Sequence, residues 1–183
     1  MSRSFPQAVL LVDGYNIIGA WSYLKETRDG DGLEAARWQL IEALISYSAF
    51  QGFETQVVFD AQYQNTCSNQ ETITQNLSVH YTDFGQTADT YIEKACASSR
   101  LYLRQARPLR LIVATSDRVQ QLMVLGYGAE WMSAQQLGCE VESTALRVQR
   151  QNKPRKQSSS RFLANSLDAK ARQRLAELRM GLE

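Results

Sequence analysis

The sequence predicts an α/β fold, a mainly parallel sheet flanked by helices, and three observations predict it. Short apolar runs rich in valine, leucine and isoleucine recur along the chain, as expected of strands buried on both faces. Segments of helical periodicity separate them, the pattern of parallel strands joined by right-handed crossover helices. The chain has 183 residues, 44% of them hydrophobic, enough for one sizeable core with some length to spare.

The elements follow in order. Ala8–Asp13 (AVLLVD) reads as the first strand, followed by a loop punctuated by Gly30 and Gly32. Leu33–Gln51 reads as a helix, because Ala36, Leu40, Leu44 and Tyr47 share one stripe and Gly52 stops it. Thr55–Asp60 (TQVVFD) is the second strand and Ser78–Thr82 the third. A long helix runs from Thr87 to about Arg107, where Pro108 closes it. Leu109–Thr115 (LRLIVAT) is another buried strand, and Asp117–Leu125 is its following helix. Ala129–Met132 is a last short strand, after which Ser133 caps a helix running to about Arg150. Gln151–Ser160 (QNKPRKQSSS) is polar, basic and broken by Pro154, which reads as a linker. Ser166 then caps a short helix with Leu167, Ala171, Leu175 and Leu178 on one face and Lys170, Arg172 and Arg174 on its polar side. The expected organisation is a body over residues 1–150, a basic linker over 151–165 and a short C-terminal helix over 166–183.

Composition excludes several classes. No stretch approaches the roughly 20 apolar residues of a membrane helix, and the first apolar run is too short for a signal peptide. Cys67, Cys96 and Cys139 are odd in number and widely spaced, which argues against a disulfide framework or a zinc site and fits a reducing cytoplasm. The net charge of +1 hides an asymmetry: residues 145–183 hold ten Lys/Arg against three Asp/Glu, about +7, and the remainder is about −6. An acidic body with a basic tail suits metal chemistry in the one and phosphate attraction in the other. A solvated tail is the plain alternative.

The chemistry gathers where acidic residues end the strands. Open α/β sheets bind ligands beyond the carboxyl ends of their strands, near the topological switch point. The first strand ends at Asp13, the second at Asp60, and the fourth is followed by Ser116-Asp117. The long helix opens with Thr87-Ala88-Asp89 and carries Glu93 four residues on, which puts both carboxylates on one helix face. Crowded carboxylates repel one another, and a fold gathers them only with a counter-charge. Mg²⁺ or Mn²⁺ supplies it, since both prefer oxygen ligands, retain waters and bridge to phosphates. Such an ion lowers the pKa of bound water, so phosphodiester hydrolysis needs no histidine. His80, the only histidine, falls mid-strand and reads as structural.

Singly, each acid has a plainer reading. Asp13 beside Gly14 suits a turn, Asp89 and Asp117 suit first-turn acids complementing helix dipoles, Asp60 suits a loop, and Glu93 a solvated face. Their coincidence at strand ends carries the argument. Among substrate contacts, Arg147, Arg150, Lys153, Arg155 and Lys156 form a phosphate-tracking run that gives affinity and little sequence choice. Arg118 either meets a scissile phosphate or pairs with a neighbour. Trp21 and Tyr23 either stack on a base or pack over the sheet edge.

Asp13-Gly14-Tyr15-Asn16 after an apolar strand resembles the signature of NYN domains, a branch of the PIN-like nuclease superfamily. Thr87-Ala88-Asp89-Thr90-Tyr91-Ile92-Glu93-Lys94 is similar to the TAD-x-x-IEK element of the YacP-like NYN branch. Val58-Phe59-Asp60-Ala61, Thr115-Ser116-Asp117 and Ser133-Ala134-Gln135-Gln136-Leu137 fall where that family's other motifs would, and the basic ending is similar too. The resemblance implies a PIN-like three-layer α/β/α sandwich and an Mg²⁺- or Mn²⁺-dependent endoribonuclease. Members of this branch include a bacterial enzyme that associates with ribosomes and cleaves messenger RNA. By motif, Asp13, Asp89 and Asp117 would hold the metal with Glu93 as a further candidate. Asn16 would orient a carboxylate, water or phosphate. Ser116, as cap of its helix, would bring backbone N–H groups to a phosphate.

Rivals lack their motifs. A dinucleotide-binding enzyme needs Gly-x-Gly-x-x-Gly after the first strand, where this chain has Gly14-Tyr15-Asn16. A Walker-type loop is absent, and Tyr15 stands where an aspartyl-phosphate phosphatase would carry a second Asp. Two alternatives stay open: a non-catalytic RNA- or ribosome-binding module of the same fold, and a DNA-acting nuclease of the same superfamily. No dimer stripe is visible, which leaves monomer and homodimer both open.

Overall fold

Alternation along the first strand divides the core in two. The computed structural model describes residues 6–60, 69–102 and 110–152, and the chain divides into two units, Met1–Val148 and Gln149–Glu183. The expected C-terminal helix, the linker from residue 153 onward with Lys153, Arg155 and Lys156, and Cys67 lie outside the described residues. In chain order the elements are β1 (Ala8–Asp13), α1 (Gly14–Ala20), α2 (Ser22–Asp31), α3 (Leu33–Gln51), β2 (Phe53–Phe59), β3 (Asn69–Thr74), β4 (Leu77–Tyr81), α4 (Ala88–Tyr102), β5 (Arg110–Ala114), α5 (Arg118–Gly126), β6 (Glu130–Met132) and α6 (Ala134–Asn152).

The strands form one sheet in the order β3-β4-β2-β1-β5-β6. All neighbours are parallel except β3, which runs antiparallel to β4 at the edge. Side chains of a strand point alternately to its two faces. Ala8, Leu10 and Val12 accordingly join a core made with α1, α2, α3 and α6. Leu11, with Val58 and Val113, joins a second core under α4 and α5. The result is the expected three-layer α/β/α sandwich. Among the described residues no helix is long and apolar enough to cross a membrane, and Cys96 and Cys139 are free thiols.

Most strand and helix boundaries fall within a residue or two of expectation. The α3 stripe of Ala36, Leu40, Leu44 and Tyr47 is buried, and Gly52 takes the left-handed conformation (φ 65°) that ends the helix. Ser133 Oγ accepts the Gln136 amide at 3.1 Å, as an N-cap does. Two regions differ. Residues 14–31 form α1 and α2 where the sequence pattern suggests a loop. Asp13 caps α1, Ile17, Ile18 and Leu24 enter the core, and Gly30 lies inside the last turn of α2, so of the two glycines only Gly32 (φ 95°) interrupts a helix. The polar edge strand β3 has no apolar alternation to announce it.

The switch point of this strand order lies between β1 and β5: the chain leaves β1 toward β2 and later crosses back to β5. Register brings the strand ends level there. Asp13 pairs with Val58, two residues before Asp60, and Val12 pairs with Ala114, so Asp13 stands level with Thr115.

Candidate active site

Each acid at this edge is held by the start of a helix. Asp13 is 8% exposed, and its Oδ1 accepts the Asn16 amide of α1 at 3.1 Å. Asp60 Oδ1 accepts the amide of Ala88, the first residue of α4. Asp117 Oδ1 accepts the amides of Val119 (2.7 Å) and Gln120 (3.1 Å) in α5. Helix N-termini favour negative charge, so these caps fix three carboxylates while leaving each a second oxygen. Asp89, in the first turn of α4, accepts Gln120 Nε2 at 2.5 Å. Gln120 is buried, with its Oε1 unpartnered, and locks α4 to α5 at this point.

The carboxylates feel one another. Burial pushes the Asp13 carboxyl up to about 6; the Asn16 hydrogen bond opposes this, and the charges of Asp89, Asp60 and Asp117 add to it. Asp89 is raised by desolvation and then by Asp117 and Asp60, against the Gln120 bond. The charges named in both cases are all negative. Asp13, Asp60, Asp89 and Asp117 therefore form one electrostatic cluster.

Glu93 does not belong to it. It shares the α5-facing flank of α4 with Asp89, but it lies a turn further on, where it accepts the Tyr127 hydroxyl at 3.2 Å. The i, i+4 spacing locates the face correctly and not the depth. Asp60 takes the fourth place instead.

Across the switch point, Asn16 Oδ1 accepts the Ser116 amide at 2.6 Å. Ser116 Oγ accepts the Ala134 amide at 3.3 Å, which ties the same loop to the start of α6. Ser116 is not the cap of α5. Asp117 has that role, because its carboxylate reaches the two amides that the serine hydroxyl does not. Arg118 is exposed in the first turn of α5 and makes no ion pair among the described residues. Arg147 and Arg150 are exposed in the last turns of α6.

Trp21 is not a free stacking surface. It is 7% exposed, and its indole N–H donates to Ala134 O at 2.8 Å. Tyr23, 40% exposed, stacks against it at 5.7 Å. His80 lies in β4 and stacks on Tyr91 with ring centres 4.1 Å apart.

Behind the cluster stands a support that sequence reasoning missed. Phe59, just before Asp60, is fully buried between the rings of Tyr15 (5.1 Å) and Tyr81 (5.8 Å). The guanidinium of buried Arg37 lies 5.4–5.9 Å from all three rings and donates to the Tyr15 hydroxyl and to Glu34. A desolvated cation–π contact contributes on the order of 2 kcal/mol. These contacts hold Tyr15 and Phe59, and with them the residues on either side.

Four clustered carboxylates suit a hard divalent cation: the donors are all oxygen, and no positive charge among the described residues is paired with them. Among the described residues no three His, Cys, Asp or Glu side chains close into a ready-made cage. Oxygen donors of this kind are those that Mg²⁺ and Mn²⁺ prefer, ions that keep part of their water shell.

The fold and its acidic edge define a class, the nuclease-like α/β/α domains. The chain belongs to the YacP-like NYN domain family, whose model matches residues 10–180. It is 37% identical over 142 residues to YacP of Bacillus subtilis (strain 168), a protein described as uncharacterized, with 78% of this chain and 79% of that protein covered. The crystal structure of Rae1 (YacP) from Bacillus subtilis matches with TM-score 0.62 and 32% identity over 94% of this chain and 95% of that one. The crystal structure of a Trp-to-Leu mutant of the same Rae1 matches with TM-score 0.64 and 30% identity, covering 93% of this chain and 99% of that one.

Proposed function

We propose that the protein is a metal-dependent endoribonuclease that hydrolyses RNA phosphodiester bonds with Mg²⁺ or Mn²⁺. The observation that carries this reading is the cluster of Asp13, Asp60, Asp89 and Asp117 at the switch point of an NYN fold, where burial and then the neighbouring charges raise the Asp13 and Asp89 carboxyls. Messenger RNA on the ribosome is the target that the family resemblance implies, in the cytoplasm. The tail's charge of about +7 supplies phosphate attraction.

Asp13, Asp89 and Asp117 would hold the ion, and Asp60 sits close enough to add negative charge. When bound, the ion polarises a phosphoryl oxygen and lowers the pKa of a water. The chain's own residues do the rest. Asn16, anchored through its Oδ1, keeps its Nδ2 group as a donor for a phosphate oxygen or the attacking water. Gln120 holds Asp89 in a single orientation. Arg118 offers positive charge beside Asp117 where charge builds on the phosphate.

The test is incubation of the purified protein with mixed RNAs, including translating messenger on ribosomes, with and without Mn²⁺ or Mg²⁺. An Asp13→Asn/Asp89→Asn variant, checked for folding, runs alongside. Metal-dependent cuts absent from the variant support the reading. Equal cutting by the variant points to a contaminant. Binding of RNA or ribosomes without any cutting replaces the enzyme with a binding module, and preference for DNA replaces the substrate.

A further inference from the structure

On the flank of α4 turned away from Asp89, the end of β4 and the loop after it line an open surface pocket of about 310 Å³. Ligand pockets begin at about 300 Å³, so this one suits a single small group. His80, Asp83, Gln86, Tyr91, Lys94 and Ser98 line it. None of them belongs to the carboxylate cluster.

The lining combines three recognition elements. The first is a flat aromatic wall: the His80 and Tyr91 rings stack at 4.1 Å and 26°. It is rigid, because the Tyr91 hydroxyl donates to Gln56 Oε1 at 3.0 Å. Burial holds the imidazole below its ordinary pKa, against Asp83, so at neutral pH the wall is an uncharged π surface. Its Nδ1 is buried and unpartnered. The second is a polar edge able to both donate and accept. Gln86 is held through its backbone, by Asp83 O at 2.9 Å and Thr82 Oγ1 at 2.7 Å, which leaves its side-chain amide available next to the Asp83 carboxylate. The third is a cation, Lys94, exposed and without an ion pair among the described residues.

A π surface, an amide–carboxylate edge and an unpaired cation are the means by which proteins hold an unstacked nucleotide. An anion alone has no use for the wall, and an apolar ligand none for the lysine. The placement agrees. Lys94 lies five residues beyond Asp89, about 7 Å along the helix axis and on the other flank. A strand presenting one phosphate to the carboxylates thus reaches the pocket by crossing the N-terminal turn of α4.

We infer that this pocket is a subsite for one unpaired nucleotide of a single-stranded RNA, its base against the His80–Tyr91 pair and a phosphate on Lys94. The inference rests on the RNA reading above and extends it to a substrate that is single-stranded next to the cut.

His80 is the chain's only histidine, so the two imidazole C–H signals in its NMR spectrum are assigned without ambiguity. The full-length protein is titrated with the four nucleoside 5′-monophosphates and, separately, with ribose 5-phosphate. The expected result is a saturable ring-current shift with at least one nucleotide, absent with ribose 5-phosphate and weakened about tenfold by Lys94→Ala. No shift, or the same shift with ribose 5-phosphate, overturns the subsite. In the cleavage assay, His80→Ala and Lys94→Ala each raise KM about tenfold while the rate at saturating RNA falls by much less. Metal-dependent cleavage with unaltered KM in both variants removes the subsite and leaves the nuclease. A nucleotide-dependent His80 shift without metal-dependent cleavage keeps the subsite and removes the nuclease.

Discussion

Gly14 lies flat against the ring of Phe59: a Cβ on the glycine would stand 2.2 Å from Phe59 Cε1 and 2.5 Å from Cδ1. The ring cannot move aside, because Tyr15, Tyr81 and the Arg37 guanidinium hold it. Gly14→Ala must therefore displace the backbone that follows Asp13. Overpacking of this kind costs about 1–3 kcal/mol, or about 2–10 °C in Tm for a chain of this size. Metal-dependent cleavage should fall at least tenfold, since Asp13 moves with its neighbour. Thermal melts and initial rates check both, and an unchanged rate would show that the close approach does not position the carboxylate.

Asn16 predicts a different split between stability and rate. Its Oδ1 ties the first turn of α1 to the loop after β5, but the Ser116 amide that it accepts belongs to an exposed residue. Water can take the place of a lost partner there, so Asn16→Ala should cost about 1 kcal/mol or less. The rate should drop at least tenfold, because the amide that faces substrate and the link across the switch point go together. A rate that merely tracks the loss of folded protein on warming would reduce Asn16 to a strut.

Asp13 gives a pH prediction with a definite sign. Its carboxyl is at about 6 in the folded protein against 3.8 for an aspartate in water, so the native state binds the proton more tightly. The associated stability is fully present below about pH 4 and is lost as pH rises through 6. The difference corresponds to about 3 kcal/mol, an upper figure for a single buried group. Asparagine does not ionise and caps helices well, so metal-free Asp13→Asn should be more stable than wild type at pH 7–8 and equal to it near pH 4. Added Mn²⁺ should close the gap at neutral pH by stabilising wild type alone. Urea unfolding in EDTA and in Mn²⁺ at three pH values measures this, and a gap that ignores pH would refute it.

Where the fold was legible and where it was not has physical causes. The runs ending at Asp13 and Asp60, and the one before Asp117, are largely buried on both faces and so mostly apolar, which makes strand and acid visible together. Helix α2 turns only Leu24 inward among polar residues, and β3 is a polar edge strand, so neither leaves a pattern to read. Asp60 and Glu93 exchanged importance because spacing along α4 reports direction around the axis, whereas membership of the cluster depends on depth along it. Gln120 was invisible since a buried glutamine in an apolar helix means nothing until Asp89 stands opposite. Trp21 shows the converse: a tryptophan after a functional loop suggests base stacking, and its indole was already committed to Ala134.

The last prediction separates the two readings of Asp117 that the sequence left open. As a cap it accepts the Val119 and Gln120 amides; as a member of the cluster it adds charge against Asp13 and Asp89. Asp117→Asn and Asp117→Ser preserve a capping oxygen and remove the charge, whereas Asp117→Ala removes both. If the cap were its whole role, activity would follow stability: Asn near wild type, and Ala lower by about 1 kcal/mol in stability and modestly in rate. If the charge holds a metal, Asn, Ser and Ala all lose cleavage by at least a hundredfold, although only Ala is appreciably destabilised. The Asn variant should then also lose the Mn²⁺-dependent rise in Tm expected of wild type. Tm and rate measured on the same preparations decide it, and an active Asp117→Asn protein would take this residue out of the metal site and leave it as the cap of α5.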